Sequence, residues 1–153
     1  MLGIERIETR AYSLSTEDPD KVKTAILNVH DERFREKVKV TQTLTEGHLQ
    51  LPIIVINSAL TGEKACLETL YYILSHLPRE DIRFLKDSVE RRLDERCVFF
   101  LRIDKQASFL GKLQLSKGPD LISVQIHLHQ YPRCVRDDAI AFILDHLEKH
   151  GDS

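Results

Sequence analysis

The alternation of apolar and polar residues predicts β-strands along much of the chain. Residues 4–14 alternate imperfectly between an apolar and a charged face, as a half-buried strand does. Residues 38–45 and 51–60 are rich in Val, Ile and Thr and predict two strands joined by a turn. Residues 97–104 form an apolar run typical of a buried strand. Residues 121–131 alternate cleanly, so we expect this strand to be buried on one side only.

Apolar residues at helical spacing, with their flanking signals, predict the helices. Residues 15–19 offer a capping side chain followed by a proline at the first helical position. Thr61 is placed to cap a long helix with one apolar stripe. Pro78 removes a backbone donor and clashes with the preceding turn, so residues 79–95 should form a separate helix or a kinked continuation. A closing helix is expected over residues 135–149.

The order of these elements indicates the fold class. It is strand, helix, two strands, one long or two consecutive helices, two or three strands, and helix. Consecutive strands between helices favour a largely antiparallel sheet with helices packed on one face, which is an α+β fold. We see no internal repeat or long linker, so residues 1–150 are expected to form a single domain. The opposite face of the sheet would then be free for a ligand.

Composition is typical of a folded protein of the cytoplasm. The 153 residues are 42% hydrophobic and 30% charged, which is enough apolar material to offset the chain entropy of folding. No apolar run approaches the roughly 20 residues of a membrane span. The first ten residues are amphipathic and do not resemble an export signal. We therefore expect a cytoplasmic protein without a membrane partner.

The three cysteines point to the same compartment. Cys66, Cys97 and Cys134 are an odd number, are widely spaced, and contain no C-x-x-C pair. Free cysteine usually behaves as a small core residue, so buried, inert thiols in a reducing compartment are the favoured interpretation. A reactive or metal-binding role is the alternative.

Positive charge is concentrated in the middle of the chain. The net charge is −2, but residues 83–117 hold nine basic and five acidic side chains, a net charge of +4. The flanking parts, residues 1–82 and 118–153, are each net −3. Local concentration of that kind is what a binding surface for a polyanion requires.

The segment after the strand at 97–104 combines several side chains that recognise RNA. Arg102, Lys105 and Lys112 can neutralise phosphates. Gln106 can hydrogen-bond a base edge or a ribose hydroxyl, and Phe109 can stack on an unpaired base. These five residues are the primary candidates for an RNA-binding surface.

A purely structural interpretation of the same segment is also open. In it, Phe109 and Leu110 fill the core, Asp104 caps a helix, and the lysines only solvate a loop. The sequence also leaves open whether residues 105–111 form a loop or a short helix.

Four stretches of the chain resemble a small archaeal family of RNA-binding proteins that are predicted exosome subunits. The most specific is Phe-Leu-Arg-Ile-Asp-Lys-Gln-Ala-Ser-Phe-Leu-Gly at residues 100–111. The others are Ser-Thr-Glu-Asp-Pro-Asp-Lys-Val at 15–22, Glu-Gly-His at 46–48, and Tyr131-Pro132 after the last strand. The resemblance implies a ribosomal-protein-like two-layer sandwich, similar to the large-subunit protein that binds the small ribosomal RNA. It also implies a role near archaeal RNA processing.

The predicted helix at 79–95 adds Arg91 and Arg92 to the candidate surface. Oppositely charged residues four apart, such as Asp87 with Arg91, also fit an ordinary solvated helix face. Exposed phosphate contacts are individually weak, so a binding strip would need these arginines together with Arg102 and the two lysines.

His127 and His129 share one face of the predicted last strand, and His48 is expected near them across the sheet. Imidazoles two residues apart can share a metal ion, but the sequence offers no placed third ligand. Polar sheet surface and contact with RNA are the other interpretations. No metal or other cofactor is therefore expected, and both histidines are candidate RNA contacts.

No motif for catalysis is present. The six glycines never form a phosphate-cradling loop, and no serine or cysteine lies in a glycine-flanked turn beside a base. The sequence therefore favours a non-catalytic RNA-binding protein, with RNA and exosome or other RNA-processing proteins as partners and a homo-oligomer left open. One alternative is a protein-interaction adaptor. The other is a metal-dependent enzyme acting on nucleotides or RNA ends, with Asp104, Lys105 and His127 as acid-base candidates.

Overall fold

The computed structural model describes residues 2–46 and 51–151, and its framework is a five-stranded sheet in the order β2-β3-β1-β5-β4. All neighbouring strands pair antiparallel. The strands are β1 (Leu2–Ser13), β2 (Lys39–Glu46), β3 (Pro52–Thr61), β4 (Val98–Asp104) and β5 (Leu121–Gln130). The central strand β1 pairs with both β3 and β5, so the chain's first strand is the spine of the sheet.

The described residues also form five α-helices and one 3-10 helix, which lie between the strands or, for the last helix, after them. They are α1 (Pro19–Leu27), the 3-10 helix (Glu32–Lys37), α2 (Glu63–His76), α3 (Arg79–Arg92), α4 (Lys105–Phe109) and α5 (Arg136–Gly151). The α-helices pack on one face of the sheet, where the alternating inward side chains of the strands meet them. The predicted α+β fold, a largely antiparallel sheet with helices on one face, is confirmed. The more specific likeness to a ribosomal protein stays a prediction.

The hydrophobic core lies between the two layers. Ile7 and Ala11 of β1 and Ile126 of β5 are fully buried on the inward face. Phe99 of β4 and Leu70 of α2 are equally buried and belong to the same cluster. Because strand side chains alternate, the residues between them point to the opposite face, which no helix covers.

Two of the predicted helix signals act as expected. Asp18 caps α1 by accepting a hydrogen bond from the backbone amide of Asp20, and Pro19 is the first helical residue. Pro78 separates α2 from α3, which begins at the next residue. Helix α3 ends at Arg92, earlier than the expected residue 95, because Leu93 has an extended backbone and pairs with Phe99 in an isolated bridge.

The expected cap at Thr61 is wrong. Thr61 is the last residue of β3, and the residue that precedes α2 is Gly62. Gly62 has a φ of 102°, a conformation that glycine adopts without steric strain. The tight strand-to-helix transition therefore uses backbone freedom where we expected a side-chain cap.

The expectation of three inert thiols holds for one cysteine only. Cys66 is free and fully buried, and burial raises the pKa of its thiol to about 11, which keeps it protonated and unreactive. Cys97 and Cys134, in contrast, form a disulfide. They are 37 residues apart in sequence, but the pairing of β4 with β5 brings their Cα atoms within 6.3 Å of each other.

Two remaining expectations concern the β2–β3 connection and membranes. Of the predicted Glu46-Gly47-His48 turn, only Glu46 belongs to the described residues, as the last residue of β2. Gly47 and His48 lie outside the described residues. No helix within residues 2–46 and 51–151 combines the length and the hydropathy that a membrane span requires.

Candidate nucleic-acid interface

The uncovered face of the sheet carries a row of polar side chains. Antiparallel register places Thr41, Asn57, Arg10, Ser123 and Arg102 opposite one another across all five strands. Arg10 is exposed, and its Nε donates to Asn57 Oδ1 at 3.0 Å. Since neighbouring strands lie about 4.8 Å apart, the row extends over roughly 19 Å. It begins at edge strand β2 and ends at edge strand β4.

Three arginines gather where this row reaches β4. Arg91 and Arg92 end α3, and Arg102 projects from the uncovered face of β4. All three line a cavity of about 590 Å³, together with Phe84, Phe100, Leu101 and Ser123. We call Arg91, Arg92 and Arg102 the arginine cluster. The cluster joins residues that the sequence analysis assigned to two separate segments.

Arg92 is the most constrained member of the cluster. Its Nε donates to Ser88 Oγ at 2.8 Å, and its guanidinium lies 5.2 Å from the centroid of the Phe84 ring. Burial lowers the pKa of the Arg92 guanidinium, and the positive charges of Arg102 and Arg91 lower it further. Arg92 therefore lies close enough to Arg102 and Arg91 to be repelled by both charges.

The arginine cluster lacks acidic partners. Among the side chains that the structure describes, no carboxylate forms an ion pair with Arg91, Arg92 or Arg102. Arg33, in contrast, forms ion pairs with Asp31 and Glu68. Three neighbouring arginines without a carboxylate produce a positive potential that attracts a multivalent anion.

Two aromatic rings beside the cluster were missed by the sequence analysis. Phe84 is 50% exposed on α3, and Phe100 is half-buried on the uncovered face of β4. Phe84 could have been found, because it lies off the helical stripe formed by Ile82, Leu85 and Val89. Phe100 could not, because it lies within a continuous apolar run whose two faces look alike in sequence.

Lys105 is not on the surface where we expected it. Its side chain is only 5% exposed, and Nζ lies 2.9 Å from Glu17 Oε1 and 2.7 Å from Asp120 Oδ1. The same ammonium group donates to the carbonyl oxygen of Tyr12 at 2.9 Å. With three acceptors satisfied inside the protein, Lys105 holds the fold together at this point.

The rest of the predicted segment divides between surface and core. Asp104 caps α4 by accepting from the amide of Ala107 at 3.0 Å, as the structural interpretation predicted. Phe109 packs against the core, and Lys21 Nζ lies 5.8 Å from its ring centroid. Gln106 is exposed and donates to Asp120 Oδ2, and Lys112 is exposed beyond the turn at Gly111.

His127 and His129 project from the uncovered face of β5. His129 is exposed, whereas His127 is half-buried with Nε2 2.6 Å from Glu8 Oε1. Burial and the nearby Arg6 lower the pKa of His127, against the opposing effect of Glu8. Within the described residues no group of three or more His, Cys, Asp or Glu side chains is arranged to hold a metal ion.

Comparison with known proteins identifies the family to which the chain belongs. A family model described as RNA binding matches residues 6–128. The chain belongs to this RNA-binding family. The matched residues include the whole arginine cluster. A curated relative in Pyrococcus abyssi, RNA-binding protein PAB1135, is 31% identical over 132 residues, which is 86% of each chain.

Two solved structures that are similar to this member of the RNA-binding family come from archaea. Protein AF2318 from Archaeoglobus fulgidus, described by the family model DUF54, is 29% identical with a TM-score of 0.79. The match covers 94% of this chain and 99% of that one. The DUF54 protein Mth689 from Methanothermobacter thermautotrophicus is 28% identical with a TM-score of 0.76, covering 95% and 98% of the two chains.

Proposed function

We propose that this protein binds single-stranded RNA through the uncovered face of its sheet and does not catalyse a reaction on it. Its role would be in archaeal RNA processing, which the family resemblance implies. Its protein partners would be exosome or other RNA-processing proteins. The arginine cluster is the observation that carries the proposal: its three guanidiniums have no carboxylate partner among the described residues, and they lie beside the rings of Phe84 and Phe100.

Phosphate binding follows from the electrostatics of the cluster. Guanidinium groups present several donors in a plane and can bind phosphate with two parallel hydrogen bonds. Burial lowers the pKa of Arg92, and repulsion from Arg102 and Arg91 lowers it further; a phosphate between the arginines would relieve that repulsion. Because Arg92 is already held by Ser88, less side-chain freedom is lost when it binds.

A preference for unpaired RNA follows from the aromatic rings and the polar row. Phe84 and Phe100 offer faces on which unpaired bases can stack, which a duplex does not allow. Ser123 offers a hydroxyl between Arg102 and Arg10, and Asn57 offers an amide on the other side of Arg10; both can hydrogen-bond ribose hydroxyls. The 2′-hydroxyl is what distinguishes RNA from DNA at such a site.

The test is a double substitution, Arg92→Gln with Arg102→Gln, measured by fluorescence anisotropy with a labelled single-stranded RNA. We expect the affinity to fall at least about tenfold. The slope of log affinity against log salt should also fall by about 1.4, because each phosphate contact on a single strand contributes roughly 0.7.

A matched control removes two positive charges from the helix layer. Lys64→Gln with Lys149→Gln changes the net charge equally, and both side chains are exposed on α2 and α5. The control should leave the affinity within about twofold of the wild type. If both double variants weaken binding equally, the protein attracts RNA by overall charge and the arginine cluster is not the site.

A further inference from the structure

A second cavity opens on the uncovered face, at the end of β1. It has a volume of about 690 Å³, and its lining is mostly apolar. Tyr12 and Leu14 are half exposed at 50% and 49%, and Ile53 and Leu121 complete the apolar wall. We call the site formed by Tyr12, Leu14, Ile53, Leu121, Gln106 and Asp120 the Tyr12 cavity. A volume of this size lies within the range of small-molecule sites.

Lys105 fixes the walls of the Tyr12 cavity relative to one another. Its ammonium group binds the carbonyl oxygen of Tyr12, the carboxylate of Glu17 and the carboxylate of Asp120. These three residues belong to β1, to the segment before α1 and to the segment before β5. One buried cation thus positions three separate stretches of chain around the cavity before any ligand arrives.

The side chain of Gln106 lines the cavity, and a hydrogen bond to Asp120 fixes the orientation of its amide group. Its Nε2 donates to Asp120 Oδ2 at 2.9 Å. Burial alone would raise the pKa of the Asp120 carboxyl, but the hydrogen bonds from Lys105 and Gln106 hold that pKa below its ordinary value. An ionised carboxylate can only accept, so the NH₂ group must face Asp120. In the part of the chain that the structure describes, Oε1 has no donor and is left for a ligand.

The charge of the Tyr12 cavity is opposite to that of the arginine cluster. Lys105 with Glu17 and Asp120 sums to −1, and the Asp120 side chain is 47% exposed. A phosphate is therefore repelled here, whereas the amino group of a base is attracted. The acceptors present are Gln106 Oε1 and the oxygens of Asp120, which suit the exocyclic amino group that adenine, cytosine and guanine carry and uracil lacks.

The two sites are continuous along β5. Leu121 of the cavity and Ser123 of the arginine cluster's cavity are successive outward positions, about 6.8 Å apart along the strand. A chain whose phosphates lie on the arginines can therefore place a neighbouring base at the Tyr12 cavity.

We propose that the Tyr12 cavity receives one unpaired RNA base that carries an exocyclic amino group, with Tyr12 stacking on the base and Gln106 accepting from that amino group. This assignment rests on the proposed RNA binding and adds base selectivity to it. The arginine cluster supplies affinity for any sequence, and the cavity discriminates between bases.

The experiment compares an oligouridine of about twelve nucleotides with versions that carry one central adenosine or cytidine. For the wild-type protein, the substituted strands should bind about tenfold more tightly. Gln106→Leu should abolish that difference. Tyr12→Leu should weaken binding of the substituted strands about tenfold, and Tyr12→Phe should restore it because the ring is retained.

The outcomes separate this assignment from the proposal on which it rests. Equal affinity of the wild type for all three strands, or a preference that survives Gln106→Leu, would overturn the Tyr12 cavity as a base site while leaving RNA binding intact. Failure of the wild type to bind any of the strands would overturn the proposed function itself.

Discussion

The ammonium group of Lys105 lies where three segments of the chain meet, and its environment decides what it does. Its partners are the carbonyl oxygen of Tyr12 and the carboxylates of Glu17 and Asp120, and the side chain is 5% exposed. A buried cation is tolerated only when its hydrogen bonds and its charge are both satisfied. Lys105 is thus a positioning residue for the Tyr12 cavity. Its ammonium group already has three partners within the protein, so it has no N–H group left to donate to a phosphate.

Lys105→Met should lower the free energy of unfolding by about 3 kcal/mol, because it leaves two carboxylates facing each other without their shared cation. Urea denaturation followed by circular dichroism measures this change. Lys112→Met is the control, since Lys112 is an exposed lysine of the same segment and its loss should change stability by less than about 0.5 kcal/mol. Equal effects of the two substitutions would contradict the role of Lys105.

The contrast between Lys105 and Arg102 shows what a sequence reveals about single residues. Arg102 lies on the uncovered face because strand alternation places it there, and that alternation can be followed in sequence once the strand is found. The environment of Lys105 depends on Glu17, which is 88 residues away. No local pattern reports a contact over that separation, so its burial required the structure.

At the scale of elements, the strands and long helices were predictable because one-sided burial imposes a period of two or 3.6 residues. The sequence left open whether residues 105–111 form a loop or a short helix, because the five residues of α4 are too few to display a helical period. For the candidate site, the sequence indicated Arg91, Arg92 and Arg102 but not their assembly. That assembly depends on α3 ending beside β4, which is tertiary packing.

The disulfide between Cys97 and Cys134 ties two elements together. Cys97 immediately precedes β4, and Cys134 lies between β5 and α5. Strand β4 is at the edge of the sheet and carries Arg102 and Phe100. The crosslink therefore anchors the edge strand on which part of the arginine cluster is built.

Cys134→Ser should lower the free energy of unfolding by about 4 kcal/mol, the chain-entropy value for a loop of 37 residues. Denaturation with and without a reducing agent measures the effect. The reductant should destabilise the wild type and leave the Cys134→Ser variant unchanged. A wild type that is insensitive to full reduction would show that the crosslink does not contribute to stability.

At the scale of the whole molecule, the two faces of the sheet have different environments. Helices cover one face of the sheet and supply the core, and the other face carries the row of polar side chains together with the apolar walls of the Tyr12 cavity. The net charge of −2 conceals this division, since the positive segment of residues 83–117 contributes α3 and β4 at one end of the uncovered face. The family relationship and this charge distribution point to the same ligand class.

Binding of the purified wild-type protein to three ligands tests the central claim most directly. The ligands are a single-stranded RNA of about twelve nucleotides, the same RNA as a duplex, and the matching single-stranded DNA, each at salt concentrations of about 50 and 200 mM. We predict tightest binding to single-stranded RNA, with a slope of log affinity against log salt of about −2 for three arginine–phosphate contacts. Absence of binding at the lower salt concentration, or equal binding of all three ligands, would contradict RNA recognition by the uncovered face of the sheet.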